Sequence, residues 1–244
     1  MKLKDKWKYF RRKLRTKFLN LFGLPSAQMI AEKHTEQLCL ATVNELKRIH
    51  AINIPLYPFR GAANSSLMYL LMRSVTSYDF KSVVEFGCGQ STFIFDALLK
   101  LKKNKFKMLS FENNEFWQSQ VQEKVQTKVV LSPLVDTQVL GKTVPFYDFQ
   151  KEIKSEVFDF ILVDGPYGTK SFSRFGSVNV ILNHLAEDFL IIFDDAERWG
   201  EKQSYLTLVE AMKAKGLKFH TRLLQADKHQ FIIASEKFRG VCHY

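Results

Sequence analysis

The chain has 244 residues, of which 46% are hydrophobic and 14% aromatic, and its net charge is +11. This length and composition predict one α/β domain with a sizeable core and an additional segment. The three cysteines fit neither a disulfide framework nor a zinc-binding spacing, which favours a reducing, cytoplasmic environment. No stretch reaches the roughly 18 consecutive apolar residues of a membrane-spanning helix.

The positive charge is concentrated in residues 1–22. That segment has nine basic residues and one acidic residue, a net charge of +8, which leaves +3 for the rest of the chain. Its large apolar residues recur every three or four positions: Leu3, Trp7, Phe10, Leu14, Phe18 and Leu21. The spacing predicts a basic amphipathic helix. The pattern is compatible with three binding surfaces for this helix: an anionic membrane, the core of the domain itself, and nucleic acid.

A second helical pattern occupies residues 23–59 and predicts a helical N-terminal extension. Gly23 and Pro25 separate it from the first helix. We expect residues 60–244 to form the main domain.

Residues 83–92 carry the clearest motif, in which an apolar run leads into an acid, two glycines and the start of a helical pattern. The order predicts a buried strand, a tight turn and a helix. Gly87 and Gly89 let the backbone turn sharply and let a ligand approach it closely. The helix N-terminus beyond them offers free N–H groups to a ligand.

The residues around these glycines narrow the ligand class. A dinucleotide-binding turn has a third glycine at the position of Thr92. Glu85 would repel a pyrophosphate but would attract an ammonium group, such as the one in S-adenosylmethionine. A strand–helix turn that binds no ligand is the alternative.

A second acid, Glu112, follows the next predicted strand, Met108–Phe111. Its distance from Gly89 matches the roughly 20 residues that separate a glycine turn from an acid that binds a ribose diol. The alternative is an acid favoured by the dipole of the following helix.

Two further apolar runs, Phe158–Val163 and Phe189–Phe193, also end in acids: Asp164 after the first, and Asp194 and Asp195 after the second. Ligands bind beyond the carboxyl ends of strands in open α/β sheets, so these acids are candidates for chemistry. Asp164 could act as a general base. Alternatively, the aspartate pair caps the following helix.

The end of the chain predicts a helix over residues 202–215 and a β-hairpin of residues 217–224 and 229–234. Taken together, residues 60–235 resemble the class I S-adenosylmethionine-dependent methyltransferases in the segments EFGCGQST, FEN, VDGPYG and FDDAER. The resemblance implies an α/β Rossmann-like fold: a seven-stranded, mostly parallel sheet, a C-terminal antiparallel hairpin and helices on both faces. The residues that it implies for the cofactor S-adenosylmethionine are Glu85, Gly87, Gly89, Ser91, Thr92 and Glu112.

The VDGPYG and FDDAER turns also resemble those of polysaccharide-biosynthesis-associated methyltransferases and of metal-dependent, catechol O-methyltransferase-like enzymes. This resemblance implies that Asp164, Asp194 and Asp195 hold Mg²⁺ or another divalent cation. Two differences weaken it: Asp195 stands where those enzymes have asparagine, and Tyr167 stands where they have a catalytic lysine. Lys170 is the nearby candidate for that lysine's role.

The function that these features predict is O-methylation of a glycan or glycolipid hydroxyl by a cytoplasmic protein at the inner membrane face. Arg174 and Arg198 could hold a uronate or phosphate of the substrate, or could pair with local carboxylates. An RNA methyltransferase is an alternative, although the chain lacks an N-P-P-Y-type motif. A non-catalytic binding partner with the methyltransferase fold is another.

Overall fold

The structure is a computed structural model that describes residues 25–56, 62–102 and 105–244. The predicted basic helix of residues 1–22 and the predicted domain boundary at residue 60 lie outside these ranges. Within them, no helix combines the length and the apolar character needed to cross a membrane.

Seven strands form one sheet in the order β3-β2-β1-β6-β7-β9-β8, and β4 and β5 form a separate hairpin. The strands are β1 (Ser82–Phe86), β2 (Lys107–Glu112), β3 (Lys128–Leu131), β4 (Leu134–Val139), β5 (Lys142–Tyr147), β6 (Phe158–Val163), β7 (Leu185–Phe193), β8 (His220–Gln225) and β9 (His229–Ala234). In the seven-stranded sheet, β9 pairs antiparallel with β7 and β8, and the other strands pair in parallel. The β4–β5 pair is antiparallel. The predicted sheet and its C-terminal hairpin are confirmed.

Helices cover both faces of the sheet, as predicted. They are α1 (Ala27–Ile49), α2 (Ser65–Ser77), α3 (Gln90–Leu101), α4 (Glu115–Gln122), α5 (Gln150–Ile153), α6 (Gly176–His184) and α7 (Trp199–Ala214), and a 3₁₀ helix covers Glu236–His243. Every residue of β6 is buried, which explains why the strand is apolar apart from Asp159. Phe160 and Leu162 pack with α2 and α3 on one face. Ile161 and Val163 pack with α6 and α7 on the other.

Two boundaries differ from the sequence prediction. Helix α7 begins at Trp199 instead of residue 202, and β8 begins at His220 instead of residue 217. Leu217, taken as part of the strand, is 38% exposed and lies in the connection that leaves α7. The β4–β5 hairpin of residues 134–147 is a further difference, because the sequence pattern indicated only an extended edge piece at residues 144–147.

Candidate active site at the carboxyl ends of the strands

A pocket of about 880 Å³ opens at the carboxyl ends of β1, β2 and β6. This volume suits a cofactor together with part of a substrate. Its lining includes Gly87, Glu112, Tyr147, Asp164, Arg198 and Lys228. The loops that carry the predicted acids therefore converge on one cavity, as expected at this edge of an α/β sheet.

The turns after β1 and β6 touch each other, and glycine makes this possible. Gly87 has a φ of +93°, and a Cβ there would lie 2.8 Å from the amide nitrogen of Gly165. A Cβ on Gly165 would lie 2.3 Å from the hydroxyl oxygen of Tyr147. By contrast, a Cβ on Gly89 would meet nothing within 4 Å. No described protein atom therefore demands a glycine at Gly89, whereas close approach by a ligand would.

Glu85 lies beneath this turn with no exposed surface. Its Oε2 accepts hydrogen bonds from the hydroxyls of Thr92 at 2.6 Å and Ser110 at 2.7 Å. The Thr92 hydroxyl in turn accepts the Gly89 N–H at 2.9 Å. Burial raises the pKa of Glu85 to about 7, although hydroxyl donors, including that of Ser91, counteract the increase.

This geometry corrects part of the predicted cofactor set. Glu85, Ser91 and Thr92 are each at most 2% exposed. They hold the glycine turn from behind, so the expected direct contact of Glu85 with an ammonium group is not available in this structure.

Glu112, in contrast, lines the pocket. Its Oε1 accepts the backbone N–H groups of Asn113 and Asn114, both at 2.9 Å. These bonds fix the carboxylate at the end of β2. Trp117, which the sequence analysis did not single out, lines the same wall and donates its indole N–H to the carbonyl of Cys88 at 2.8 Å. This bond ties α4 to the glycine turn.

The second acidic region brings Asp164, Asp194 and Asp195 together, with one carboxylate oxygen of each within 4.8 Å of the others. The alternative that the aspartate pair caps α7 is wrong, because Arg198 occupies the cap position and no side chain bonds there. The pKa of Asp164 is raised well above its ordinary value by burial and then by the charge of Asp194.

Arg174 explains how these carboxylates coexist. It donates to Asp195 at 2.8 Å and lies 3.5 Å from Asp164. Only 4% of its side chain is exposed. Arg174 therefore pairs with local carboxylates, the second of the two predicted alternatives. It also lines the pocket, so contact with a substrate stays a prediction.

The other predicted polar residues lie nearer the solvent. Arg198 also pairs with Asp195, at 2.9 Å, but is 49% exposed and lines the pocket, so contact with a substrate stays a prediction. Lys170 and Tyr167 are exposed on the pocket rim. Among the described residues, Lys170 makes no ion pair with the aspartates.

Lys228, in the turn between β8 and β9, was not predicted to belong to the site. Its Nζ lies 3.4 Å from Asp194 Oδ2 and 3.4 Å from Asp195 Oδ1. Asp194 Oδ1 accepts the side-chain amide of the buried Gln230 at 2.8 Å. No sequence signal marked this lysine, because only the pairing of β9 with β7 brings it to the aspartates.

These contacts test the predicted divalent cation. Mg²⁺ takes about six oxygen ligands and retains several waters. Here Gln230 and Lys228 face the two carboxylate oxygens of Asp194, and Arg174 faces Oδ2 of Asp195. Among the described residues, Asp195 Oδ1 has no hydrogen-bond partner, but Lys228 Nζ lies 3.4 Å from it. The aspartates as arranged therefore do not fit a metal unless Lys228 is displaced.

No protein-family model and no curated protein matches this chain. Among solved structures it is similar to the SAH-bound methyltransferase PaMTH1 of Podospora anserina, with a TM-score of 0.50 and 13% identity over 87% of this chain and 98% of that one. It is also similar to an O-methyltransferase from Bacillus cereus in complex with SAH, with a TM-score of 0.48 and 14% identity over 85% of this chain and 100% of that one. The chain thus has the Rossmann-like fold of PaMTH1.

Proposed function

We propose that the protein is an S-adenosylmethionine-dependent methyltransferase. The observation that carries the proposal is the position of Glu112, fixed by two backbone N–H groups at the pocket wall beside the Gly87 turn. A carboxylate there can accept both hydroxyl protons of a ribose. The open space beside Gly89 and the SAH bound in the similar PaMTH1 structure support the same ligand.

The direct test is calorimetric titration with S-adenosylmethionine. We expect one site per chain. Glu112→Gln should weaken binding about 10- to 100-fold, because a hydrogen bond to a charged group contributes about 1.5–3 kcal/mol. Glu123→Gln, a change at an exposed acid at the far end of α4, is the matched control. Absence of binding by the unaltered protein would refute the proposal.

The acceptor of the methyl group is proposed to be a hydroxyl oxygen. Bound S-adenosylmethionine supplies the methyl group, which forms a bond to the acceptor oxygen while the carbon–sulfur bond breaks and its electron pair stays on sulfur. Asp164 is 19% exposed at the pocket, and it would take the hydroxyl proton. A raised pKa makes the ionised carboxylate a stronger base.

A glycan or glycolipid is the proposed substrate class. Tyr167 is 96% exposed at the pocket rim and offers an aromatic face to a sugar ring. The half-exposed Arg198 could meet an acidic substituent. Residues 1–22, with a net charge of +8, would hold the protein at the inner membrane face.

A turnover assay separates this proposal from its alternatives. Methyl transfer to acidic glycans or glycolipids supports it, and transfer to RNA instead would favour the RNA methyltransferase. Binding of S-adenosylmethionine without transfer to any acceptor would indicate a non-catalytic partner. Each assay is run with and without EDTA.

A further inference from the structure

We propose that the Lys228 ammonium group is the built-in cation of the acidic cluster, in the place that a divalent metal takes in the catechol O-methyltransferase-like enzymes, so that the site needs no metal. The role of the cluster in methyl transfer rests on the proposed function. The position of the lysine and its effect on metal binding do not.

The first support is geometric. Lys228 Nζ is 3.4 Å from a carboxylate oxygen of Asp194 and 3.4 Å from one of Asp195. Its side chain is 15% exposed and lines the pocket, whereas those of Asp194 and Asp195 are at most 3% exposed. The ammonium therefore lies between the pocket and the aspartates, where an entering cation would have to bind.

The hairpin turn holds Lys228 in this place. The carbonyl of His229 accepts the Ala196 N–H at 2.8 Å, and the N–H of His229 donates to Glu197 at 2.8 Å. Lys228 Nζ also lies 3.3 Å from the carbonyl oxygen of Ala62. The loop after β7 is thus tied to the first residue of β9, directly after the lysine.

The second support is the charge of the cluster. In the part of the chain that the structure describes, four carboxylates meet three cations: Asp164, Asp194, Asp195 and Glu201 against Arg174, Arg198 and Lys228. A divalent ion added to this set would lie close to two buried cations, and at that distance like charges repel strongly in a partly desolvated site. Removing Lys228 would raise the excess of negative charge from one to two and would open space beside the aspartates.

This arrangement gives Lys228 a positioning role. It holds Asp194 and Asp195 together with Arg174. Asp164 and Asp195 both line the pocket, and Asp164, at 19%, is the most exposed of the three aspartates. The side chain of Lys228 replaces the charge of a metal ion without bringing its open coordination positions.

The test is titration of the full chain with Mn²⁺. Electron paramagnetic resonance measures the free ion, and thermal unfolding measures the effect of the bound ion on stability. Wild type should show no saturable site, and its unfolding midpoint should be the same in Mn²⁺ and in EDTA. Lys228→Ala should gain one Mn²⁺ per chain, with affinity about tenfold or more above wild type, and its midpoint should rise with Mn²⁺.

Two variants serve as controls. Lys228→Arg keeps the charge and should bind no Mn²⁺. Lys218→Ala removes an exposed lysine ahead of the same hairpin and should behave as wild type. If Lys228→Ala does not fold alone, Mn²⁺ should restore its folding transition.

Saturable Mn²⁺ binding by wild type that Asp194→Asn abolishes would overturn the inference. So would Lys228→Ala with neither gained Mn²⁺ binding nor metal-dependent folding. Both outcomes are independent of the S-adenosylmethionine titration, so this inference can fail while the proposed function stands.

Discussion

The two acidic regions at the end of the sheet accommodate buried carboxylates in opposite ways. Beneath the glycine turn, Glu85 is surrounded by hydroxyls and its pKa rises to about 7. After β6 and β7, the aspartates meet Arg174 and Lys228 instead. A carboxyl group can be accommodated in the protein interior either in its protonated form or as a carboxylate paired with a cation. The first solution suits a rigid support for a turn, and the second places ion pairs beside a pocket.

The largest expected effect is in the ion-paired region. Asp164→Asn should lower kcat about 10²- to 10⁴-fold, because it removes the proposed general base, while affinity for S-adenosylmethionine stays near that of wild type. Turnover assays and calorimetry measure the two quantities separately. Asp136→Asn, at an exposed acid of β4, is the control. An equal loss of turnover and cofactor affinity would contradict the assignment.

Stability should distinguish the two arginines of the same region. Arg174→Ala should lower the free energy of unfolding by about 3–5 kcal/mol, because it leaves Asp195 buried beside an empty space. Arg198→Ala should cost roughly 0.5 kcal/mol, because this arginine is half exposed and its ion pair is screened by solvent. Urea unfolding measures both. Equal costs would show that burial of the pair does not set its contribution.

The region around Glu85 should make the free energy of unfolding depend on pH. Since the folded-state pKa of Glu85 is raised from 4.5 to about 7, the folded protein binds more protons than the unfolded chain between these values. The stability contributed by the protonated carboxyl is complete below about pH 4.5 and is lost as the pH rises through about 7.

Glu85→Gln removes this dependence. We expect the unfolding free energy of wild type, relative to that of the variant, to fall by about 3 kcal/mol as the pH rises from below about 4.5 to above about 7. Glu187→Gln, at an exposed acid, should show no such trend. A difference that stays constant with pH would mean that Glu85 is ionised throughout, and the contrast between the two regions would disappear.

The smallest effect on either region is expected from removing residues 1–22. Turnover of a water-soluble acceptor should stay near that of the full chain, because neither region contacts this segment in the proposed mechanism. Binding to anionic vesicles, measured by sedimentation, should be lost. Vesicle binding that persists would remove the membrane role, and a large loss of turnover would favour packing of the segment on the domain.

The order of strands and helices could be predicted from the sequence, because most of these elements have a recognisable pattern within their own segment. The apolar run of β6 and the glycine turn after β1 each have a pattern that a single segment displays. The acids at the strand ends could be placed at one edge for the same reason, since parallel strands bring their carboxyl ends together. The β4–β5 hairpin lacked such a signal, because most of β4 is exposed.

The amino-acid sequence by itself determined the α/β class, the sheet with its C-terminal hairpin and the acids at its carboxyl edge, because each depends on short-range periodicity. Only the tertiary structure decided what surrounds each acid. Glu85 lies behind the turn with Ser110, a residue of the next strand, and Lys228 reaches Asp194 because β9 pairs with β7. Burial and charge pairing between distant segments depend on packing, which no local pattern encodes.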